Sequence, residues 1–379
     1  MSARLIIQFG TSRFLQAHAA LFLHEARAQG QVAGPIVVVQ TSGAADRAGR
    51  VAAFGRPEGY PVILRGMQDG VAVDRQVQVT SVTRGLSAAT GWEELRRLFA
   101  AEAGYVISNT GDAGYAIAES DRGPALLQGG VPASFPGKLA ALLHHRWRQG
   151  AAPLTVLPCE LLNRNGAVLQ GLVIELAEQA GAEAGFVVWL REAVIWADTL
   201  VDRIVSAPLE PVGAVAEPYA LWAVERRPGL VLPFEHPSLV LADSLEPFER
   251  LKLHILNLGH TFLAEIFQRD GLAAGTTVKD MLADPAIAAR LEALYAGEVL
   301  PGFAAHGMED AARDYVATTL DRFRNPFLEH RVADIAQNHA LKVERRIAAF
   351  LDWVAERDPA LPMPVLRGLV ARHAAREQA

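Results

Sequence analysis

Cysteine occurs once in the 379 residues, as Cys159. That excludes a disulfide within the chain and any cysteine-built metal cluster. No run approaches the roughly 20 consecutive apolar residues of a membrane-spanning helix. The short apolar stretch of MSARLIIQFG reads as a strand rather than a secretion signal. Positive charge is not in excess: 36 Lys and Arg stand against 42 Asp and Glu, a net charge of −6. That is the wrong balance for a nucleic-acid surface. HExxH is absent and no histidines cluster beyond His144-His145, so no metal site is expected. These absences point to a cytoplasmic protein acting on a small molecule, without nucleic-acid or membrane partners. Oligomeric state is not readable from them.

What is present is apolar material, 51% of the chain, enough for two cores at a length that one core seldom spans. The first half alternates β-rich runs with amphipathic stretches. Leu5–Gly10 reads as a strand and FLQAHAALFLHEARAQ as its helix. PIVVVQTS (35–42) reads as a strand buried on both faces. YPVILRG and VAVDRQVQVTSV flank MQDG and predict an antiparallel hairpin or meander. WEELRRLFA, YVISNT, FPGKLAALLHHRW, LTVLPCE and GAVLQGLVIELAEQA continue the alternation as helix, strand, helix, strand and helix. This order predicts a Rossmann-type, doubly wound α/β domain over residues 1–210. SAPLEPVGAVAEP (206–218) reads as a connection, and 211–379 as an all-α substrate domain. Helical periodicity there covers 245–268, 287–297, 309–322, 329–355 and 363–377. The active site is expected in the crevice between the two domains.

QFGTSRF lies where a dinucleotide-binding turn belongs, but of the G-x-G-x-x-G glycines only Gly10 is present. An ordinary strand-to-helix turn is an equal reading. Gly10, Thr11, Ser12, Arg13 and Phe14 are nonetheless the candidates for a pyrophosphate at a helix start. The second strand ends in Gln40-Thr41-Ser42, with Arg47 and Arg50 beyond, and without the acidic residue that binds the ribose of NAD. The cofactor is therefore NAD or NADP, with a slight preference for NAD. Asn109 and Thr110 end another strand at the same sheet edge and join Gln40 and Thr41 as candidate contacts.

The segment DSLEPFERLKLHILNLGHTFLAEIF carries helix-start signals at Asp243, Ser244 and Pro247. At about 100° per residue, Glu249, His260 and Asn257 lie at about 60°, 80° and 140° from Lys252. Leu253 and Leu256 share that arc, which suggests the wall of a partly dry cavity. A lysine in such a place loses basicity and becomes a usable general base, and an amide with an imidazole can hold a substrate oxygen. A surface bridge between Lys252 and Glu249, with His260 as a satisfied core histidine, is the plainer alternative.

The K-x4-N-x2-H pattern of Lys252, Asn257 and His260 resembles the signature of the polyol-specific long-chain dehydrogenases, which include mannitol 2-dehydrogenases and fructuronate and tagaturonate reductases. IIQFGTSRFLQAH, YVISNTGDAG, SFPGKLAALL, LPCELLNRNG, TLVDRIV, EPYALWAVE and RFRNPFLEH are similar to family blocks in the same order. The resemblance implies a zinc-independent, NAD(P)-dependent oxidoreductase interconverting a secondary alcohol and a ketone on a linear polyol or sugar acid. It implies Lys252 as general acid/base with Asn257 and His260 as its partners. Asp202 and Lys342 match substrate contacts, and Glu249 an acid relaying the lysine's proton. Leu161 replaces an asparagine of mannitol-type members, and Asp334 replaces an arginine, so mannitol fits less well than a hexuronate or aldonate. Two alternatives stay open. One is a polyol-phosphate dehydrogenase using Arg13, Arg164, Arg324 and Arg331; the other is a non-catalytic dinucleotide sensor.

Overall fold

The computed structural model describes residues 4–43, 48–111 and 113–377. Thirteen strands occur among them. They are β1 (Leu5–Phe9), β2 (Ile36–Gln40), β3 (Tyr60–Gln68), β4 (Val71–Val79), β5 (Val82–Ser87), β6 (Ala103–Ser108), β7 (Leu154–Pro158), β8 (Val194–Trp196), β9 (Thr199–Asp202), β10 (Val205–Pro208), β11 (Ala214–Ala216), β12 (Leu221–Glu225) and β13 (Leu239–Ala242). The main sheet runs β5-β2-β1-β6-β7-β8, parallel throughout. That is the doubly wound order in which connections reverse between β1 and β6, the point where ligands collect beyond the strand ends. Every residue of β1, β2 and β7 is buried. Alternate residues feed two cores, Leu5, Ile7 and Phe9 on one face and Ile6 on the other.

Two smaller sheets complete this unit, in the orders β10-β11-β3-β4 and β13-β12-β9. The expected hairpin is present, and its Asp69-Gly70 turn has positive φ at both residues (53° and 74°), the geometry that matches strand twist. Other expectations need correction. The run 71–82 divides, and β5 joins the parallel sheet as an edge strand. The proline-rich stretch 206–218 carries β10 and β11 rather than a bare connection. The helix expected over 14–29 is broken into Arg13–Gln16 and Ala19–Ala28. At the break the carbonyls of Gln16 and Ala17 are taken by Tyr60 Oη (3.3 Å) and Arg203 Nη1 (2.5 Å) instead of by the next turn.

The chain divides into two compact units, one comprising residues up to Leu64 with Arg75–Leu245, the other Arg65–Asp74 with everything from Glu246. The second is helical. Its helices include Glu246–Leu251, Leu258–Arg269, Val278–Ala283, Pro285–Leu294, Leu300–Ala305, Glu309–Phe323, Ala349–Ala355 and Pro364–Glu377. Three π-helical segments interrupt them, at Lys252–Asn257, Tyr295–Val299 and Glu344–Ala348. The single helix expected over 329–355 is instead Val332–Ile335, then Asn338 at φ 52°, then His339–Val343 and the third π segment. Among the described residues no helix is long and apolar enough to cross a membrane.

Candidate active site

At the switch point, Gly10 follows β1 with φ 106°, and a Cβ there would lie 2.3 Å from the Asn109 carbonyl oxygen. Only glycine tolerates both conditions. The two strand ends are tied by Gly10 N–H to Val39 O (2.9 Å) and Asn109 N–H to Phe9 O (3.0 Å). Thr11 is buried, Ser12 and Phe14 are half-buried and Arg13 is exposed. The Ser12 hydroxyl accepts the Leu15 N–H (3.3 Å), so it caps the helix itself and the helix is a single turn. The turn is close-packed, with the Asn109 carbonyl filling the space where a side chain of residue 10 would stand. Gln40 is buried and donates to Ser42 O (2.8 Å), and Thr41 is half-buried. Arg50 pairs with Glu210 at 3.4 Å, while Arg47 lies outside the described residues.

The neighbouring edge is organised by Glu160, a residue the sequence reading did not select. Its carboxylate accepts from Ser108 Oγ (2.9 Å), from Thr110 N and Oγ1 (3.0 Å each) and from Tyr115 Oη (3.3 Å). Burial raises its pKa despite these donors. Asn109 Nδ2 donates to Cys159 O (2.7 Å). The loop after β6 is thus held against β7, and Cys159 is a buried thiol whose pKa burial pushes up. Leu161, next along, is 76% exposed.

Asp202 ends β9 and is buried beside Arg203. Arg203 donates to Glu217 O (2.9 and 2.8 Å) and to Ala17 O (2.5 Å), joining the TLVDRIV block to the break after the first turn. His18 stacks between Phe14 (4.6 Å) and Phe22 (4.5 Å) and contacts Leu221 O through Nε2 (3.1 Å). Burial lowers its pKa to about 3.

In the second unit the expected α-helix is locally π over Lys252–Asn257. A π turn advances roughly 82° per residue rather than 100°. By that step Asn257 comes to about 50° from Lys252, and His260 to about 10° on its other side. With Glu249 one turn earlier, the four polar groups share an arc of about 70°, half that of an uninterrupted α-helix. Lys252, Asn257 and Glu249 are half-buried and His260 is buried. The His260 ring packs on Phe323 (4.4 Å) and against His330 (4.9 Å). Burial also lowers the pKa of His330.

The π segment is braced by the other two. Tyr295 Oη donates to Ile255 O (3.0 Å), and Arg346 Nη1 donates to Asn257 O (3.3 Å) and Thr261 Oγ1 (3.2 Å). Lys342 Nζ donates to Ile335 O (2.6 Å), and burial with nearby Arg346 lowers its pKa. Of the arginines considered for a phosphate, Arg324 is paired with Glu292 (2.5 Å). Lys252, Asn257, His260, Glu249 and Lys342 thus belong to the helical unit, while Asp202 and the first-turn residues belong to the other.

Residues 4–230 match the mannitol dehydrogenase Rossmann domain and residues 244–372 the mannitol dehydrogenase C-terminal domain. The chain belongs to the mannitol dehydrogenase family. It is an oxidoreductase with a Rossmann domain ahead of a helical one, as its pattern of elements led us to expect. Altronate oxidoreductase of Halalkalibacterium halodurans is 33% identical, over 97% of this chain and 74% of that protein. Altronate oxidoreductase of Bacillus subtilis is 30% identical, over 94% and 76%. Among solved structures, substrate-free D-sorbitol dehydrogenase superposes with a TM-score of 0.76 at 19% identity, over 94% of this chain and 77% of that one. The Pseudomonas fluorescens mannitol 2-dehydrogenase ternary complex with NAD and D-mannitol gives 0.68 at 19%, over 98% and 79%. Within this family member, Glu160, Tyr295, His330 and Arg346 escaped the sequence reading. Each acts through a partner more than 35 residues away, and periodicity carries no such signal.

Proposed function

We propose that this chain catalyses the reversible, nicotinamide-dependent oxidation of a secondary alcohol to a ketone on an open-chain sugar acid or polyol. Lys252 is the general acid/base. The observation that supports this reading is the π segment over Lys252–Asn257, whose smaller angular step narrows the arc expected for Lys252, Asn257 and His260. In the oxidative direction Lys252 Nζ takes the hydroxyl proton. Asn257 and His260 donate to the substrate oxygen and stabilise the charge that develops on it. Glu249 passes the lysine's proton outward. Asp202 and Lys342 orient the rest of the chain of hydroxyls. Because an amine performs the proton transfer, the reading needs no catalytic metal.

The turn from Gly10 to Phe14, with Gln40, Thr41, Asn109 and Thr110, would hold the dinucleotide, NAD in the first instance. When bound, that group takes up or returns the hydride. For the substrate we favour an aldonate of the altronate type. Relatives named altronate oxidoreductase are 30–33% identical over nearly the whole chain, and exposed Leu161 offers no polar group to a polyol.

The test is nicotinamide absorbance with NAD and NADP against altronate, mannitol, sorbitol and phosphorylated polyols. Altronate should exceed mannitol in kcat/KM by at least about tenfold. Failure to oxidise any sugar acid or polyol would overturn the reading. Preference for a phosphorylated substrate would overturn the choice of substrate class.

A further inference from the structure

Three side chains that the proposed reaction does not use meet inside the helical unit. Glu265 comes from Leu258–Arg269, the helix that continues from the π segment. His339 opens His339–Val343, the helix of Lys342, and His373 belongs to the last helix, Pro364–Glu377. Their donor atoms all lie within 4.8 Å of one another. Glu265 Oε2 is 3.2 Å from His339 Nε2 and 2.9 Å from His373 Nε2, and the two rings meet edge to face at 4.9 Å. The Glu265, His339 and His373 side chains are 3%, 5% and 12% exposed.

Hydrogen bonding alone satisfies this cluster poorly. Both imidazoles must then present Nε2–H to one oxygen. Glu265 Oε1 is left without a hydrogen bond, and so is His339 Nδ1, although both atoms are buried. Such orphans cost free energy. Arg372 Nε stands 3.5 Å from Oε1, but that arginine is half exposed and can turn outward. Two imidazole nitrogens and a carboxylate are also a donor set that zinc uses. A tetrahedral ion with bonds of about 2.0–2.1 Å spaces its donors roughly 3.3–3.4 Å apart, close to the 3.2 Å from Glu265 Oε2 to His339 Nε2 and within the 4.8 Å that spans all three donors. Glu265 and Arg372 border a cavity of about 700 Å³, which can supply water as a further ligand.

We propose that Glu265, His339 and His373 form a divalent transition-metal site, best suited to Zn(II), that fastens the C-terminal helix to the helices bearing Lys252 and Lys342. The role is structural: an ion bound only by the folded chain stabilises it in proportion to its affinity. This inference is independent of the reaction proposed above.

The test uses the full chain, stripped with a chelator and titrated with Co(II) as a spectroscopic probe and then with Zn(II). We expect one equivalent of Co(II) with the intense visible bands of four-coordinate cobalt, displaced by Zn(II). Zn(II) should raise the melting temperature by several degrees at concentrations about 100-fold above Kd. His373→Gln keeps a hydrogen-bond donor for Glu265 but is a poor ligand, so it should fold and lose both effects. His339→Gln is the second variant if the first is unstable. Absence of cobalt bands in the wild type, or bands and thermal shift that survive in the glutamine variants, overturns the proposal.

Discussion

Lys252 carries the proton transfer in the proposed reaction. Its replacement by alanine removes the proposed proton acceptor and leaves the first turn untouched. Turnover of Lys252→Ala should fall by at least about 100-fold, the lower end of what general acid–base catalysis supplies. The dissociation constant for the dinucleotide, read by fluorescence titration, should stay within about threefold of wild type. Gly10 makes the converse case. Gly10→Ala places a methyl against the Asn109 carbonyl at 2.3 Å and demands positive φ of an alanine. We expect cofactor affinity to fall by an order of magnitude or more, with about 1–3 kcal/mol lost from unfolding free energy. Unchanged affinity would overturn the proposal that this turn holds the cofactor. Both residues were legible in the sequence, Lys252 as a polar group out of place and Gly10 as the sole survivor of a glycine pattern. Glu160 was not, because nothing in LPCELL announces that four donors from Ser108, Thr110 and Tyr115 converge on it.

The elements explain why some spacing arguments held and others failed. The strands β1, β2, β6 and β7 were readable as short, largely apolar runs set between helical stretches, β2 most clearly with its Ile-Val-Val-Val. β8 to β11 are three or four residues long, too short for alternation to register. The helix around Lys252 was readable, but its π segment was not, since the extra residue per turn is set by contacts from elsewhere. Tyr295 and Gly259 supply one such contact. A Cβ on Gly259 would lie 2.0 Å from Tyr295 Oη, so the glycine admits the hydroxyl that bonds Ile255 O. Tyr295→Phe leaves that carbonyl without its partner. It should lose roughly 1–2 kcal/mol in denaturant unfolding and lower kcat more than it raises KM, since the arc of Lys252, Asn257 and His260 loosens. A fully active Tyr295→Phe enzyme would show that the π geometry stands without this brace. The cluster of Glu265, His339 and His373 illustrates the same limit. Sequence separations of 74 and 34 residues conceal a contact that helix packing makes.

At the scale of the whole molecule, each unit carries a buried histidine held neutral. His18 in the first unit has its pKa lowered to about 3, chiefly by burial and in part by Arg203. His254 in the second has its pKa lowered to about 4, chiefly by burial and in part by Arg250. In the unfolded chain both return to the ordinary value of 6.5. Between about 6.5 and the folded values the unfolded state binds more protons, so stability falls as pH falls through that window and is unaffected by these groups above it. At a pH of about 4.5 each histidine costs on the order of 2–3 kcal/mol. Urea unfolding midpoints should therefore drop between neutral pH and about 4.5. In a His18→Gln, His254→Gln double variant, glutamine can still donate to Leu221 O and Arg346 O, and the drop should be much smaller. An undiminished drop would place the acid sensitivity in the carboxylates instead. Because the two histidines sit in different units, single variants carry a sharper expectation: each should flatten the pH dependence of its own unit, resolved by hydrogen exchange, while the other unit keeps its slope.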